Sequence, residues 1–199
     1  MKRAQLSAIV LVCALACTAC GGVLTSDQPA RQDYLLKPMS LAPAQPSDPP
    51  SLSLAVSAVP GLDSNRILVV DPEARLNSFA GAHWPDHLPE VLGSVLQRSL
   101  TSSGLFSSVE TGARTVRADW IAELEIQEFY ALQTTSGITS SVRALLAGHV
   151  LCDGNRQVLR LAASESVTDE RLATVVAAHQ DALDDVTHQL IEQLKTACP

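Results

Sequence analysis

Two cysteines near the amino terminus, Cys17 and Cys20, are the residues whose setting points most clearly to a chemical modification. They follow two cationic residues, Lys2 and Arg3, and an apolar run over residues 6–16. This run is too short to span a bilayer, which takes about 20 apolar residues, and the arrangement is typical of a cleaved secretory signal. Small residues before Cys20 and two glycines after it fit a bacterial lipobox, which predicts that the Cys20 thiol is acylated.

The alternatives at this position concern which cysteine is modified. Cys17 stands where a lipobox usually carries leucine, and it is itself a second candidate acceptor. An ordinary cleaved signal with incidental cysteines is the remaining interpretation. One acyl chain binds a membrane only marginally, so stable anchoring requires further chains, as on the cysteine of bacterial lipoproteins. We therefore predict a signal peptide over residues 1–19, a covalent lipid on Cys20, and no other cofactor.

Two further cysteines, Cys152 and Cys198, lie in the body of the chain. An oxidising compartment would allow them to form a disulfide, although geometry rather than spacing decides whether a bond exists. The alternative is two separate thiols, one buried and one near the chain end. A metal site is disfavoured because no Cys or His lies beside either cysteine at the spacing of zinc ligands.

The other polar clusters form no convincing catalytic site. His83 and His87 are four residues apart, but a proline lies between them, so the two rings need not share a helix face. Glu123, Glu125 and Glu128 form an acidic cluster without a basic or nucleophilic partner nearby in sequence. We interpret both sets as solvent-exposed polar residues. The chain also lacks a glycine-rich phosphate loop and a nucleophile elbow, so the sequence predicts neither an enzyme nor a metal site.

The charge balance restricts the partners further. Removing residues 1–19 removes Lys2 and Arg3, so 12 Lys and Arg remain against 21 Asp and Glu, and the mature charge is −9. A negative domain repels phosphate backbones, so we expect no nucleic-acid partner. The domain also lacks the polybasic character that binds anionic lipid.

The segment after Cys20 is rich in proline, with six prolines between residues 21 and 50. Such a composition favours extended, polyproline-like conformations without a core of their own. We interpret residues 20–50 as a lipidated tether, whose reach is on the order of 90 Å when fully extended. An apolar island at residues 34–36 is either a short edge strand laid on the domain or an apolar spot within the linker.

Residues 51–199 carry the pattern of one α+β domain. Runs with alternating apolar residues predict half-buried strands, and Asp153-Gly154 predicts a hairpin turn. Two stretches with apolar residues at steps of three and four predict amphipathic helices, one between an Asp86 N-cap and Gly104. We expect a mostly antiparallel sheet with both helices packed on one face. The predicted strands cover residues 51–59, 66–70, 75–80, 106–109, 120–129, 139–152 and 157–167, and the last helix covers 171–196.

Several weak motifs follow one another in a particular order along the chain. They are the lipobox at Cys20, the Tyr-x-Leu at residues 34–36, the β-branched run 66–70, the segment 77–84 that leads into the first helix, the proline-containing helix before residues 103–106, the acidic strand ending at Phe129, and the alanine-rich last helix. In this order and spacing they resemble the ABC-type transport auxiliary lipoprotein family, over roughly residues 34–194.

The resemblance implies a non-enzymatic periplasmic lipoprotein that accompanies an ABC transporter in lipid or hydrophobic-compound traffic. The implied partners are a periplasmic protein of the mammalian-cell-entry type, the ABC permease and ATPase, and a homo-oligomeric ring. Gly21 stands where an Asp would favour inner-membrane retention, which favours the periplasmic face of the outer membrane. The alternative is a monomeric lipoprotein that itself binds a lipid or small molecule in a groove between helices and sheet.

Contacts with such partners would involve a sheet edge or exposed aromatic residues. A free edge of the sheet is our first expectation, with the tether able to add a strand at residues 34–36. The candidate interaction residues are Tyr34, Leu36, Trp84, Phe129 and Tyr130.

Overall fold

The computed structural model describes residues 30–44, 46–112 and 118–197. Within them, eight strands form one sheet and two helices pack against it. The fold is therefore α+β, as predicted. In chain order the elements are β1 (Gln32–Asp33), β2 (Ser51–Ala58), β3 (Arg66–Val70), β4 (Leu76–His83), α1 (Leu88–Ser103), β5 (Ser108–Thr111), β6 (Trp120–Gln133), β7 (Thr139–Cys152), β8 (Asn155–Ser166) and α2 (Leu172–Ala197).

The sheet is built around β6, which pairs along both of its edges. One edge pairs with β7 in antiparallel register from Trp120 opposite Cys152 onward, and β7 pairs in turn with β8. The other edge is shared by two parallel strands, because β2 covers residues 120–126 and β3 covers residues 131–132. A register shift between Ile126 and Glu128 separates the two halves.

The prediction of a mostly antiparallel sheet is wrong, because the sheet is mixed. β2 runs parallel to both β5 and β6, β3 runs parallel to β6, and β1 runs parallel to β4. Parallel neighbours need a crossover connection, and the β3–β4 hairpin together with α1 returns the chain so that β5 lies beside β2. Alternation along a strand indicates which face is buried but not which strand lies beside it.

Both helices cover the same face of the sheet, which we call the closed face. A Cβ at position 93 of α1 would be in van der Waals contact with Val56 on β2, and α2 places His179 against Phe129 on β6. The predicted Asp86 N-cap is wrong: the N-cap is His87, which makes no capping side-chain hydrogen bond. Burial of the helix stripe therefore stabilises α1 more than its cap does.

Residues 34–44 and 46–50, which we call the strap, pack on the domain. Leu36 is only 5% exposed and belongs to the hydrophobic core, and Leu41 packs against that core. The chain enters through β1 beside β4, and the Tyr34 N–H donates to the His83 carbonyl at 2.8 Å. Of the two interpretations of residues 34–36, the structure supports contact with the domain, although the added strand is at residues 32–33.

Side chains of both helices satisfy the strap backbone, since an extended proline-rich segment makes no internal hydrogen bonds. The Gln180 amide on α2 accepts from the Lys37 N–H at 2.7 Å and donates to the Lys37 carbonyl at 3.0 Å. On α1, Ser99 Oγ accepts from the Met39 N–H at 2.9 Å. The strap therefore bridges the two helices.

The end of α1 is shaped to receive the strap. Gly104 ends the helix with a left-handed φ of 67°, a conformation that glycine adopts at little cost. The Ala44 N–H donates to the Ser103 carbonyl at 2.6 Å, and a Cβ at position 104 would collide with the Ala44 carbonyl. Any side chain at this position would thus displace the strap.

A buried histidine lies at the centre of the core. The His179 ring lies 5.5 Å from the Trp84 ring and 5.1 Å from the Phe129 ring. Its Nδ1–H donates to the Val175 carbonyl at 2.9 Å, whereas Nε2 has no hydrogen-bond partner among the described residues. Burial lowers the pKa of His179 to about 4 because the charged imidazolium is poorly solvated there.

The strap should contribute to stability through its buried side chain. We expect Leu36→Ala to lower the free energy of unfolding by about 2–3 kcal/mol, since a buried leucine is truncated and a cavity remains. The matched control is the neighbouring Leu35→Ala, whose side chain is 69% exposed and should change stability by less than about 0.5 kcal/mol. Urea unfolding measures both variants, and equal losses would contradict the packed strap.

His179 should make stability depend on pH. Its folded-state pKa lies below that of the unfolded chain, so the unfolded state binds more protons and stability falls as the pH drops from about 6.5 towards 4. We expect a loss of about 3 kcal/mol over this range, absent in His179→Leu. The control, His188→Leu, alters an exposed ring and should retain the slope. Denaturant unfolding at pH 7 and pH 4.5 tests this, and parallel curves for wild type and His179→Leu would refute it.

Candidate docking surface

Three of the five predicted interaction residues are buried within the domain. Trp84 and Phe129 are buried, with their ring centroids 6.0 Å apart, and Leu36 is buried where the strap packs on the domain. These large apolar groups give more stabilisation in the core than they would at an exposed contact. Tyr34 and Tyr130 are partly exposed, so they alone of the set can contribute to a surface, and they lie on different parts of the sheet.

The predicted lipidation site, with Cys20 and its alternative Cys17, lies outside the described residues, as does Cys198. Cys152 is disulfide-bonded. Its Sγ lies 3.9 Å from the carbonyl oxygen of Ala197, the residue before Cys198. The end of α2 is therefore next to Cys152, while the pairing with Cys198 stays a prediction.

The face of β6, β7 and β8 that points away from both helices carries most of the charged side chains of these strands. We call it the open face; no helix of the described residues packs on it. The alternation of each strand creates it, because every second residue of a strand points to the same side. Its residues are Ile121, Glu123, Glu125, Glu128 and Tyr130 on β6, Arg143, Leu145, Ala147, His149 and Leu151 on β7, and Arg156, Val158, Arg160, Ala162 and Ser164 on β8.

A hydrogen-bonded relay crosses the three strands near one end of the open face. Arg156 Nη2 donates to His149 Nδ1 at 3.1 Å, which leaves the His149 proton on Nε2, 3.4 Å from the Glu123 carboxylate. Both ring nitrogens are therefore engaged. In this arrangement His149 orients its neighbours and is not available as a general base.

A second charged contact lies further along β6. Arg143 Nε lies 3.3 Å from a Glu128 carboxylate oxygen, and burial together with the negative charge of Glu128 raises the pKa of Tyr130. The Tyr130 hydroxyl therefore stays protonated across the physiological range and can donate a hydrogen bond. These groups are typical of a polar recognition surface rather than of a reaction centre.

The middle of the open face consists of apolar side chains, some of them short. β7 carries Leu145, Ala147 and Leu151 between the charged rows, and Val158 on β8 is 82% exposed. Small residues leave an open depression of ≈ 430 Å³ beside Ala147 and His149. An apolar strip bordered by charges is the composition expected of a protein contact.

The free edges of the sheet are partly closed, which limits the first expectation of edge docking. On α2, the Gln193 amide accepts from the Arg160 N–H at 3.3 Å and donates to its carbonyl at 2.9 Å, and the Gln189 amide does the same at Ala162 at 3.0 and 2.8 Å. The Gln97 amide donates to the Val109 carbonyl at 2.8 Å on the opposite edge. Covered edges are a common protection against strand addition.

Sequence reasoning missed the basic partners of the acidic strand. The β6–β7 register places His149 opposite Glu123 and Arg143 opposite Tyr130. These residues are far apart in sequence, so only the register brings them together. Counting from the turn at residues 134–137 does not give the whole register, because a second shift lies between Leu132 and Gln133. The shift after Ile126 carries no sequence signature that we recognise.

The remaining cavities and clusters give no stronger candidate. In the described part of the chain, no three His, Cys, Asp or Glu side chains converge as metal ligands. A depression of ≈ 660 Å³, partly polar and open to solvent, lies between the strap prolines, Phe106 and Trp120. No described helix is both long and apolar enough to cross a membrane.

Comparison with known proteins places the chain in a family. The sequence profile of the family described as ABC-type transport auxiliary lipoprotein component matches residues 34–191. No curated protein sequence matches the chain. Protein XCC0632 from Xanthomonas campestris, of the DUF330 family, superposes with a TM-score of 0.64 at 22% identity, over 83% of this chain and 92% of that chain.

Two further solved structures have a similar architecture. An uncharacterized protein superposes with a TM-score of 0.60 at 12% identity, over 82% of this chain and 99% of that chain. A PelC dodecamer from Paraburkholderia phytofirmans gives a TM-score of 0.44 at 10% identity, over 83% and 92%, which is too low to support an argument. The structural likenesses concern the fold alone, whereas the sequence match covers most of the chain. The chain therefore belongs to the family of ABC-type transport auxiliary lipoprotein components.

Proposed function

We propose that this protein is a non-enzymatic, lipid-anchored periplasmic component of a mammalian-cell-entry-type ABC transport system. It links the transport assembly to the periplasmic face of the outer membrane during the traffic of lipid or hydrophobic compounds. The observation that carries the proposal is the family match over residues 34–191. ATP binding and substrate translocation belong to the separate ATPase and permease chains.

The packed strap supports a linking role because it shortens the distance between membrane and domain. If Cys20 is acylated, only nine residues, or ten Cα–Cα steps, separate it from Ala30, the first described residue. A fully extended chain of this length spans roughly 35 Å, compared with the 90 Å expected for a tether free to residue 50. The domain would therefore be held close to the membrane surface.

The closed face favours a connector, a protein that links the transport assembly to the membrane, over a carrier, a protein that binds lipid itself. Most of the space between helices and sheet is filled with buried side chains, including Leu54, Leu92, Leu146 and Leu190. An open depression of ≈ 550 Å³ lies beside them, between the first half of α1 and β2. A lipid-carrying groove at this position would require those side chains to separate, with loss of the burial that stabilises the domain. The alternative, a monomeric lipid- or small-molecule-binding lipoprotein, is kept as an outcome of the experiments below.

Acylation of Cys20 should be directly measurable. We expect Cys20→Ser to abolish labelling of the full chain by radioactive palmitate, because the thiol that accepts lipid is removed. Cys17→Ser is the matched control and should keep full labelling and co-sedimentation with outer membranes. Persistent label in Cys20→Ser together with its loss in Cys17→Ser would identify Cys17 as the acceptor instead.

A connector and a carrier should differ in noncovalent lipid content. We expect organic extraction of the purified full chain to release less than about 0.1 lipid per protein, since its interior is occupied by side chains. The covalently acylated cysteine stays with the protein and is measured separately by mass spectrometry. One extractable lipid per monomer, reproduced after detergent exchange, would favour the carrier and contradict the connector.

A further inference from the structure

The open face is complementary to itself. Its acidic row lies on β6 and its two arginines, Arg156 and Arg160, lie on β8, while β7 between them is apolar except for Arg143 and His149. We propose that this face binds a second copy of the chain, related by a two-fold axis that lies between the two sheets and runs parallel to β7. This proposal does not depend on the proposed function.

One row of residues across the strands defines the contact. Glu125 pairs with Ala147, and Ala147 pairs with Arg160, so the three side chains lie in line on the open face. Glu125 and Arg160 are exposed, and neither forms a salt bridge with another described residue. Two strand spacings, about 10 Å, separate their backbones, and the small Ala147 side chain occupies the interval.

The direction of the axis follows from the charges. Rotation by 180° about an axis along β7 exchanges the sides of the sheet, so β6 of one copy lies over β8 of the other. Glu125 then faces Arg160 of the second copy, and the same contact forms twice, as in any two-fold interface. An axis across the strands would instead place the acidic row over the acidic row, where like charges repel. The axis along β7 places Arg143 over its own copy, but the Glu128 carboxylate 3.3 Å from Arg143 Nε offsets that charge.

The size and composition of the face are adequate for a pair. β6 and β7 each span 14 residues, and at about 3.3 Å per residue and 4.8 Å per strand the three-strand face covers roughly 650 Å². A standard interface buries roughly 800 Å² per partner. Leu145, Leu151 and the exposed Val158 supply the apolar centre, and facing sheets pack about 10 Å apart.

Charge reversal provides a test with an internal rescue. In the full chain purified in detergent, we expect native mass spectrometry to show dimers whose dissociation constant rises on the order of tenfold in Glu125→Arg and in Arg160→Glu. The double variant Glu125→Arg/Arg160→Glu should regain dimers. An equimolar mixture of the two single variants should form mixed dimers, because each then offers the charge that the other requires.

The controls are matched charge reversals away from the open face. Arg98→Glu on α1 and Glu170→Arg before α2 alter exposed residues and should leave the dimer unchanged. A wild-type protein that stays monomeric at micromolar concentrations would overturn the proposal. So would any assembly, ring or otherwise, that is insensitive to both reversals, or single variants that fail to form mixed dimers while remaining folded by circular dichroism.

Discussion

The pairing of β6 along both edges is the constraint on which the rest of the structure depends. On one side β7 follows it for its whole length, and on the other β2 and β3 divide it at the shift after Ile126. Since β2 and β3 are separated by only a short loop, this division fixes the path of the hairpin, of α1 and hence of the strap. Altering the register by one residue would exchange the closed and open faces of β6.

At several places in this fold, glutamine side chains form hydrogen bonds with backbone groups that have no strand partner. Backbone groups that lack a strand partner need hydrogen bonds when they lie against the protein. The Gln180 amide supplies two to the strap, and Gln189 and Gln193 supply four to the edge of β8. Each amide acts as a short substitute for a neighbouring strand. This explains how a proline-rich segment and a sheet edge are both held without further secondary structure.

The antiparallel half of the fold could be predicted from the sequence, whereas the parallel half could not. β7 spans Thr139–Cys152 as predicted, because strict alternation and the Asp153-Gly154 turn define it. Parallel pairs such as β2–β6 join residues about 68 apart, and no local pattern records that choice. The same limit applies to the open face, where Glu125 and Arg160 were both visible as charges but their common row required the register. Trp84 and Phe129 are buried against His179, which is far away in sequence.

The strap and the open face lie on opposite sides of the sheet, so the two proposals are compatible. β1 runs parallel to β4, β4 runs antiparallel to β3, and β3 runs parallel to β6, so the chain before Gln32 approaches from the end at which β6 stops. A two-fold axis parallel to β7 preserves strand direction, and both copies then present this end to the same side. If Cys20 is acylated as proposed, two anchors with a reach of roughly 35 Å would insert into one membrane. An axis across the strands would point them apart, so such anchoring would favour the same axis as the charges.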